Sequence, residues 1–260
     1  MFRHTWTLFT CAGLPIRADL SVGLLVVIVA LGQDSLLMGL VLAASLLVGI
    51  LLHELAHCAV AITFGGQVRE VRLQMLGGAA MISRMPPKAW QEALMAIAGP
   101  LCSLLLALSG FCAANLLRQA EYDPFWEVYY SEPNIWCLAF CGVNLGLACF
   151  NLIPAFPMDG GRVLRATLEV CGLRKVRATE IAVRVGQGIA VMWIVLWVAA
   201  WIFKWHLACP AALGVFGRLM WALLFGAHSP VLPLIACMIW IVGRRELQLV
   251  RATTWTGDWR

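Results

Sequence analysis

Apolar residues run along this chain in long blocks, broken by short polar or Gly/Pro-containing stretches. Blocks lie at about 20–31, 36–64, 89–114, 135–153 and 181–203. Most match the roughly 20 residues that a helix needs to cross a hydrocarbon core of about 30 Å. The first block is short, so its span begins a little earlier. A further apolar region, 208–242, is interrupted by Arg218, His228 and Pro230. It reads as one span plus a re-entrant or interfacial helix, or as two short spans. Between the second and third blocks the period changes. Val68, Glu70, Arg72 and Gln74 alternate with Arg69, Val71, Leu73 and Met75, and Gly77-Gly78 supplies a turn. The alternation predicts a hairpin. It either dips into the membrane and offers an edge strand to an extended substrate, or lies at the surface. The expected fold is an all-α membrane protein of about six transmembrane helices, with a small membrane-associated β-hairpin between spans 2 and 3.

Composition agrees. Of 260 residues, 62% are hydrophobic and 13% charged, more apolar sequence than a soluble domain uses. The net charge of +5 comes with no dense Lys/Arg tract, so nucleic acid is excluded as a partner. The opening stretch has no clean apolar core followed by a cleavage site and reads as retained, with Gly13-Leu14-Pro15-Ile16-Arg17 as a membrane-surface entry. Most of the ten cysteines sit in apolar runs and none forms a C-x-x-C pair, so they read as small apolar residues. Basic residues cluster after span 2 (Arg69, Arg72, Arg84, Lys88), after span 4 (Arg162, Arg165, Arg174, Lys175, Arg177, Arg184) and in the tail (Arg244, Arg245). The stretch after span 3 is acidic, with Glu121, Asp123, Glu127 and Glu132 against Arg118. The positive-inside rule then puts both termini in the cytoplasm, which requires an even number of spans.

The chemistry is carried by His53-Glu54-Leu55-Ala56-His57 inside the second block. On a helix His53 and His57 are i and i+4, so both imidazoles leave one face one turn apart. That spacing suits two nitrogens on one tetrahedral Zn²⁺, with Glu54 beside them as general base for an activated water. A carboxylate within a membrane helix is costly and marks a functional site by default; the competing reading is a polar cluster that glues helices. From His53 to Gly65 is about 18 Å at ~1.5 Å per residue, so the site lies inside the bilayer, toward the cytoplasmic face. A zinc protease needs a third protein ligand. His4 lies in the N-terminal tail, and His206 and His228 at loop-like positions late in the chain. Better placed is Asp159, on the segment Asn151-Leu152-Ile153-Pro154-Ala155-Phe156-Pro157-Met158-Asp159-Gly160-Gly161, where two prolines and a Gly pair break the helix. Its alternative is a turn or N-cap residue before a helix at 163–170.

Together these two segments resemble the paired HExxH and N-x-x-P-x-x-P-x-D-G signatures of the site-2 protease family of intramembrane zinc metalloproteases. The likeness extends to Gly13-Leu14-Pro15-Ile16-Arg17, Gly77-Gly78-Ala79-Ala80 and Ala98-Gly99-Pro100. The short form is similar to the sporulation-type bacterial branch, without PDZ or CBS domains. The resemblance implies hydrolysis of a peptide bond within or next to a transmembrane segment of a membrane protein. Its Zn²⁺ would be held by His53, His57 and Asp159, with Glu54 as base and Asn151 near the scissile carbonyl. Gly77 and Gly78 are candidates for binding substrate. One departure is visible: family members often carry Asn a few residues after the A-G-P, where Cys102-Ser103 stands here. A single metalloprotease domain over 1–260 is expected, with its core at about 36–170 and accessory helices at 181–243. The expected location is the bacterial cytoplasmic membrane. Partners are the bilayer and a membrane-embedded substrate, with a regulatory membrane protein or a second copy of the chain as further candidates. The competing functions are a divalent-metal transporter, which would want two symmetric halves, and a non-catalytic binder of membrane helices. No internal repeat supports the first, and Glu54 argues against the second.

Overall fold

The computed structural model describes residues 5–33, 35–74, 77–84, 87–120, 132–202 and 231–255. In chain order the elements are β1 (Thr5–Cys11), β2 (Leu14–Asp19), α1 (Leu20–Leu31), α2 (Leu36–Thr63), β3 (Gln67–Gln74), β4 (Gly77–Arg84), α3 (Ala89–Ala120), α4 (Glu132–Asn151), α5 (Asp159–Val170), α6 (Lys175–Ile202) and α7 (Val231–Trp255). Among the described residues, four helical stretches are long and apolar enough to cross a membrane: Leu36–Thr63, Ala89–Leu117, Pro133–Asn151 and Lys175–Ala199. Leu20–Leu31 is apolar but shorter. Leu24, Val27, Ile28, Leu105, Leu108 and Val195 are exposed, as expected of side chains that face lipid rather than protein.

The chain divides into two compact units. The first comprises Met1–Pro86 and Ala98–Cys149, the second Pro87–Ile97 and Phe150–Arg260.

In the first unit the strands form one sheet in the order β1-β2-β3-β4. The expected hairpin is β3–β4. The sequence reading missed β1 and β2. What reads as a membrane-surface entry is a second hairpin, turned at Ala12-Gly13 with φ of 48° and 82°, the sign pattern of a two-residue hairpin turn. Strand β2 then pairs in parallel with β3, placing Ile16 beside Val71 and Ala18 beside Leu73. All four are buried against Ile50 and Cys58 of α2. Strand β2 passes directly into α1: Asp19 ends the strand, and its carboxylate accepts from the Ser21 backbone N–H at 2.9 Å as the N-cap. The sheet therefore lies along one face of α2, which also carries the metal-ligand candidates.

In the second unit the turns at 152–158 pack with α6 and α7 around a core of Ala155, Met158, Ala190, Ala236 and Ile239. Helix α7 runs on to Trp255, past Arg244 and Arg245, so the basic stretch read as a tail is helical. The interrupted region 208–242 falls outside the described residues up to 230, as do His4, His206 and His228.

Candidate metal centre

Adjacent residues on a helix point about 100° apart, and α2 uses this to separate two kinds of chemistry. Ile50, Glu54 and Cys58 follow one another at i, i+4 and i+8 on the face that packs on the sheet. His53 and His57 project from the neighbouring face toward α3.

On that neighbouring face both imidazoles are buried, with ring centroids 4.8 Å apart and planes at 82°. Gly99 lies against them. A Cβ there would stand 2.6 Å from His53 Nε2 and clash with His57 Nε2 as well, so any side chain at this position would fill the space that the two nitrogens share. One turn along α3, Ser103 Oγ lies 2.9 Å from His53 Nδ1. Cys102 donates its weak S–H to the carbonyl of Leu52 at 3.6 Å. The pairs 57 with 99 and 53 with 103 run in opposite senses, which is how two antiparallel helices meet along one seam. The donor set fits a zinc ion: two imidazole nitrogens converge on a gap that only glycine leaves open.

Glu54 is half-buried on the other face. The backbone N–H of Ala80, in β4, donates to its Oε2 at 3.0 Å. Gly78 lies flush against the side chain, and a Cβ on it would come within 2.9 Å of the Glu54 carboxyl carbon. Strand β4 is the last strand of the sheet, bonded only to β3, with Ala80 opposite Val71 and Gly77 opposite Gln74. Among the described residues no other strand pairs with β4, and the Ala80 N–H is given to Glu54.

The remaining two candidates belong to the second unit. Asn151 is the last residue of α4 and is half-buried. After it the helix stops: residues 152–158 make turns closed by Ala155 N–H to Ile153 O (2.7 Å) and Met158 N–H to Ala155 O (2.9 Å). Asp159 then opens α5. The N-cap of this helix is Met158, with no side-chain cap, so the capping role open to Asp159 in the sequence is not the one it plays. Its side chain is 8% exposed. Gly160 lets this corner fold tightly, since a Cβ on it would fall 2.4 Å from the Ile153 carbonyl oxygen.

Gly99 and Ser103 are both noted in the sequence but without their pairing to the two histidines, and a further buried residue is not singled out there at all. Gly99 and Ser103 stand at i and i+4, and that spacing, set against the same spacing of His53 and His57, was a usable signal. The further residue is Arg165, which counts as one more positive charge in a basic stretch but is buried. It donates to Glu92, and to Glu246 at 2.6 Å, with its guanidinium 5.2 Å above the Phe156 ring. Lys175 is 3.6 Å from the other Glu92 oxygen. Burial alone would pull the Arg165 pKa down; Glu92, with Glu246, more than offsets this and raises it. No sequence spacing ties residues 92, 165 and 246 together.

A family profile, Peptidase family M50, matches residues 41–123 and 129–193. Among curated relatives, the chain is 35% identical over 189 residues to "Zinc metalloprotease MJ0392" of Methanocaldococcus jannaschii, covering 72% of this chain and 52% of that protein. It is 36% identical over 155 residues to "Putative zinc metalloprotease Rip3" of Mycobacterium tuberculosis (58% and 37%). With "Stage IV sporulation protein FB" of Bacillus subtilis it shares 31% over 122 residues (46% and 37%). The chain thus spans about half the length of the first of these and 37% of the others. A solved structure, "Site-2 Protease from Methanocaldococcus jannaschii", is similar with a TM-score of 0.57 and 27% identity, covering 94% of this chain and 95% of that one. With the two signatures, the buried histidine pair beside Gly99 and the matched profile all in place, the chain belongs to peptidase family M50.

Proposed function

We propose that the chain is an intramembrane zinc metalloprotease that hydrolyses a peptide bond within or next to a transmembrane segment of a membrane protein. The observation that carries this is the division of α2 between two faces: His53 and His57 packed against Gly99, and Glu54 held at a strand edge. In this reading His53, His57 and Asp159 hold the metal. Asp159 is buried in the first turn of α5, and a carboxylate beside two imidazoles is a ligand set that zinc accepts. Zinc, when bound, is the Lewis acid that polarises the scissile carbonyl and acidifies a water. Glu54 takes the proton from that water and returns it to the leaving amine. Asn151 donates to the scissile carbonyl region.

The substrate reaches Glu54 along β4. A transmembrane helix hides its carbonyls in its own hydrogen bonds, so the cleaved segment must unwind first. Strand β4 then offers free edge groups to the extended chain, with Gly77 and Gly78 allowing close approach. The whole chain acts as one protease domain, with about six spans. Both termini are cytoplasmic and the site lies toward the cytoplasmic side of the bacterial cytoplasmic membrane. A regulatory membrane protein or a second copy of the chain bears on its exposed apolar helices.

The test is cleavage of a single-span reporter in liposomes by wild type and Glu54→Gln, with zinc assayed on the same samples. The expected result is one zinc per chain in both, with cleavage by wild type alone. Wild type without zinc would overturn the proposal.

A further inference from the structure

Ser103 is fully buried, 0% exposed, and its hydroxyl oxygen is 2.9 Å from Nδ1 of a histidine that is itself 2% exposed. The ring has two nitrogens with opposite duties. Nε2 faces the gap beside Gly99. Nδ1 faces Ser103. A neutral imidazole carries its proton on one nitrogen only, so whichever nitrogen is given an acceptor fixes the other as the lone-pair donor.

We propose that Ser103 is a positioning residue for the metal centre: its oxygen accepts the His53 Nδ1–H, locking the tautomer and ring angle that present the Nε2 lone pair to the ion. The inference rests on the zinc reading above and names a residue outside the ligand and base set. The geometry favours it in two ways. Gly99 and Ser103 lie one turn apart on α3, so one helix face makes room at Nε2 and grips the ring at Nδ1. The ring is also 2% exposed, so a ring turned away from Ser103 gives up a hydrogen bond made out of reach of bulk solvent. A histidine ligand whose second nitrogen is anchored binds metal more tightly, and removing such an anchor costs about 10- to 100-fold in metal affinity.

The experiment measures zinc affinity by chelator competition on the full chain in detergent, for wild type, Ser103→Ala, Ser103→Thr and Cys102→Ala. Melting of the zinc-free proteins is followed alongside. Ser103→Ala should bind zinc about 10- to 100-fold more weakly, while its zinc-free melting stays at the wild-type value. Ser103→Thr, which keeps the hydroxyl, should return to within a few-fold of wild type, and Cys102→Ala should not differ from it. A cobalt-loaded sample should show a shifted visible spectrum for Ser103→Ala alone. Should Ser103→Ala not fold, Ser103→Cys keeps the volume with a much weaker acceptor and must also lose affinity. Wild-type affinity in Ser103→Ala or Ser103→Cys, or a loss matched by an equal fall in zinc-free stability, overturns the inference and leaves the zinc reading standing. Wild type that takes up no zinc overturns the zinc reading and this inference with it.

Discussion

The two faces of α2 that flank the catalytic motif are built to opposite specifications. The histidine face is closed. Its rings are 2% and 7% exposed, walled by Gly99 and gripped at His53 by Ser103. The glutamate face is looser. Glu54 is half-buried, and its carboxylate leans on a single backbone N–H of β4. The difference matches the roles proposed for the two groups, metal ligand on one face and general base on the other. Ligands work by staying still, since metal affinity depends on fixed donor geometry. A general base must reach first a water and then a leaving nitrogen, so it cannot be buried to the same degree. One helix satisfies both demands because consecutive residues differ by about 100° in direction.

That contrast can be broken from either side. The largest effect is expected from His57→Ala: zinc and cleavage should both disappear, as metal analysis beside a reporter assay will show. Next comes Glu54→Gln, which should lower turnover by about 10²- to 10⁴-fold with zinc content unchanged. Equal loss of zinc in that variant would mean that the two faces are not independent. A smaller effect should follow Ala80→Pro. The proline deletes the N–H that Ala80 gives to Glu54, on the last strand of the sheet, where proline is best tolerated. Turnover should fall about tenfold, a loss of ~1.4 kcal/mol, the scale of one hydrogen bond to a charged group, at constant zinc. The smallest is Cys102→Ala, where only a weak S–H···O contact at 3.6 Å is lost; melting temperature and zinc affinity should match wild type.

Much of the architecture is legible in the sequence because its local signals are strong. The block boundaries at residues 20, 31 and 36 coincide with helix ends, set by Asp19 and Ser35 as caps and by the polar break between them; the expected earlier start of the first span does not occur, because β2 occupies Leu14–Asp19. The stop after Asn151 is written in Pro154, Pro157 and the Gly pair. What is not legible is what depends on distant partners. Strand β2 pairs with β3 across two intervening helices, and no periodicity in residues 14–19 announces a neighbour more than fifty positions away. Arg165 looks like one more cytoplasmic charge until Glu92 and Glu246 are seen around it. Ser103 looks like a lapse from the family pattern, yet its contact with His53 gives it a place at the site. Near Asp159 the sequence leaves the start of the next helix open, and the structure puts its N-cap at Met158 with Asp159 in the first turn.

The most direct test of the two-faced helix uses two glycines that lie against its two faces. Gly99→Ala and Gly78→Ala each add one methyl group, the first against His53 and His57, the second against Glu54. Zinc content and turnover would be measured on both variants, purified alongside wild type. The expected outcome is a split: Gly99→Ala loses zinc and activity together, whereas Gly78→Ala keeps its zinc and loses about 10- to 100-fold in turnover through a displaced base. Gly99→Ala that retains full zinc, or Gly78→Ala that sheds it, would contradict the division of labour on α2.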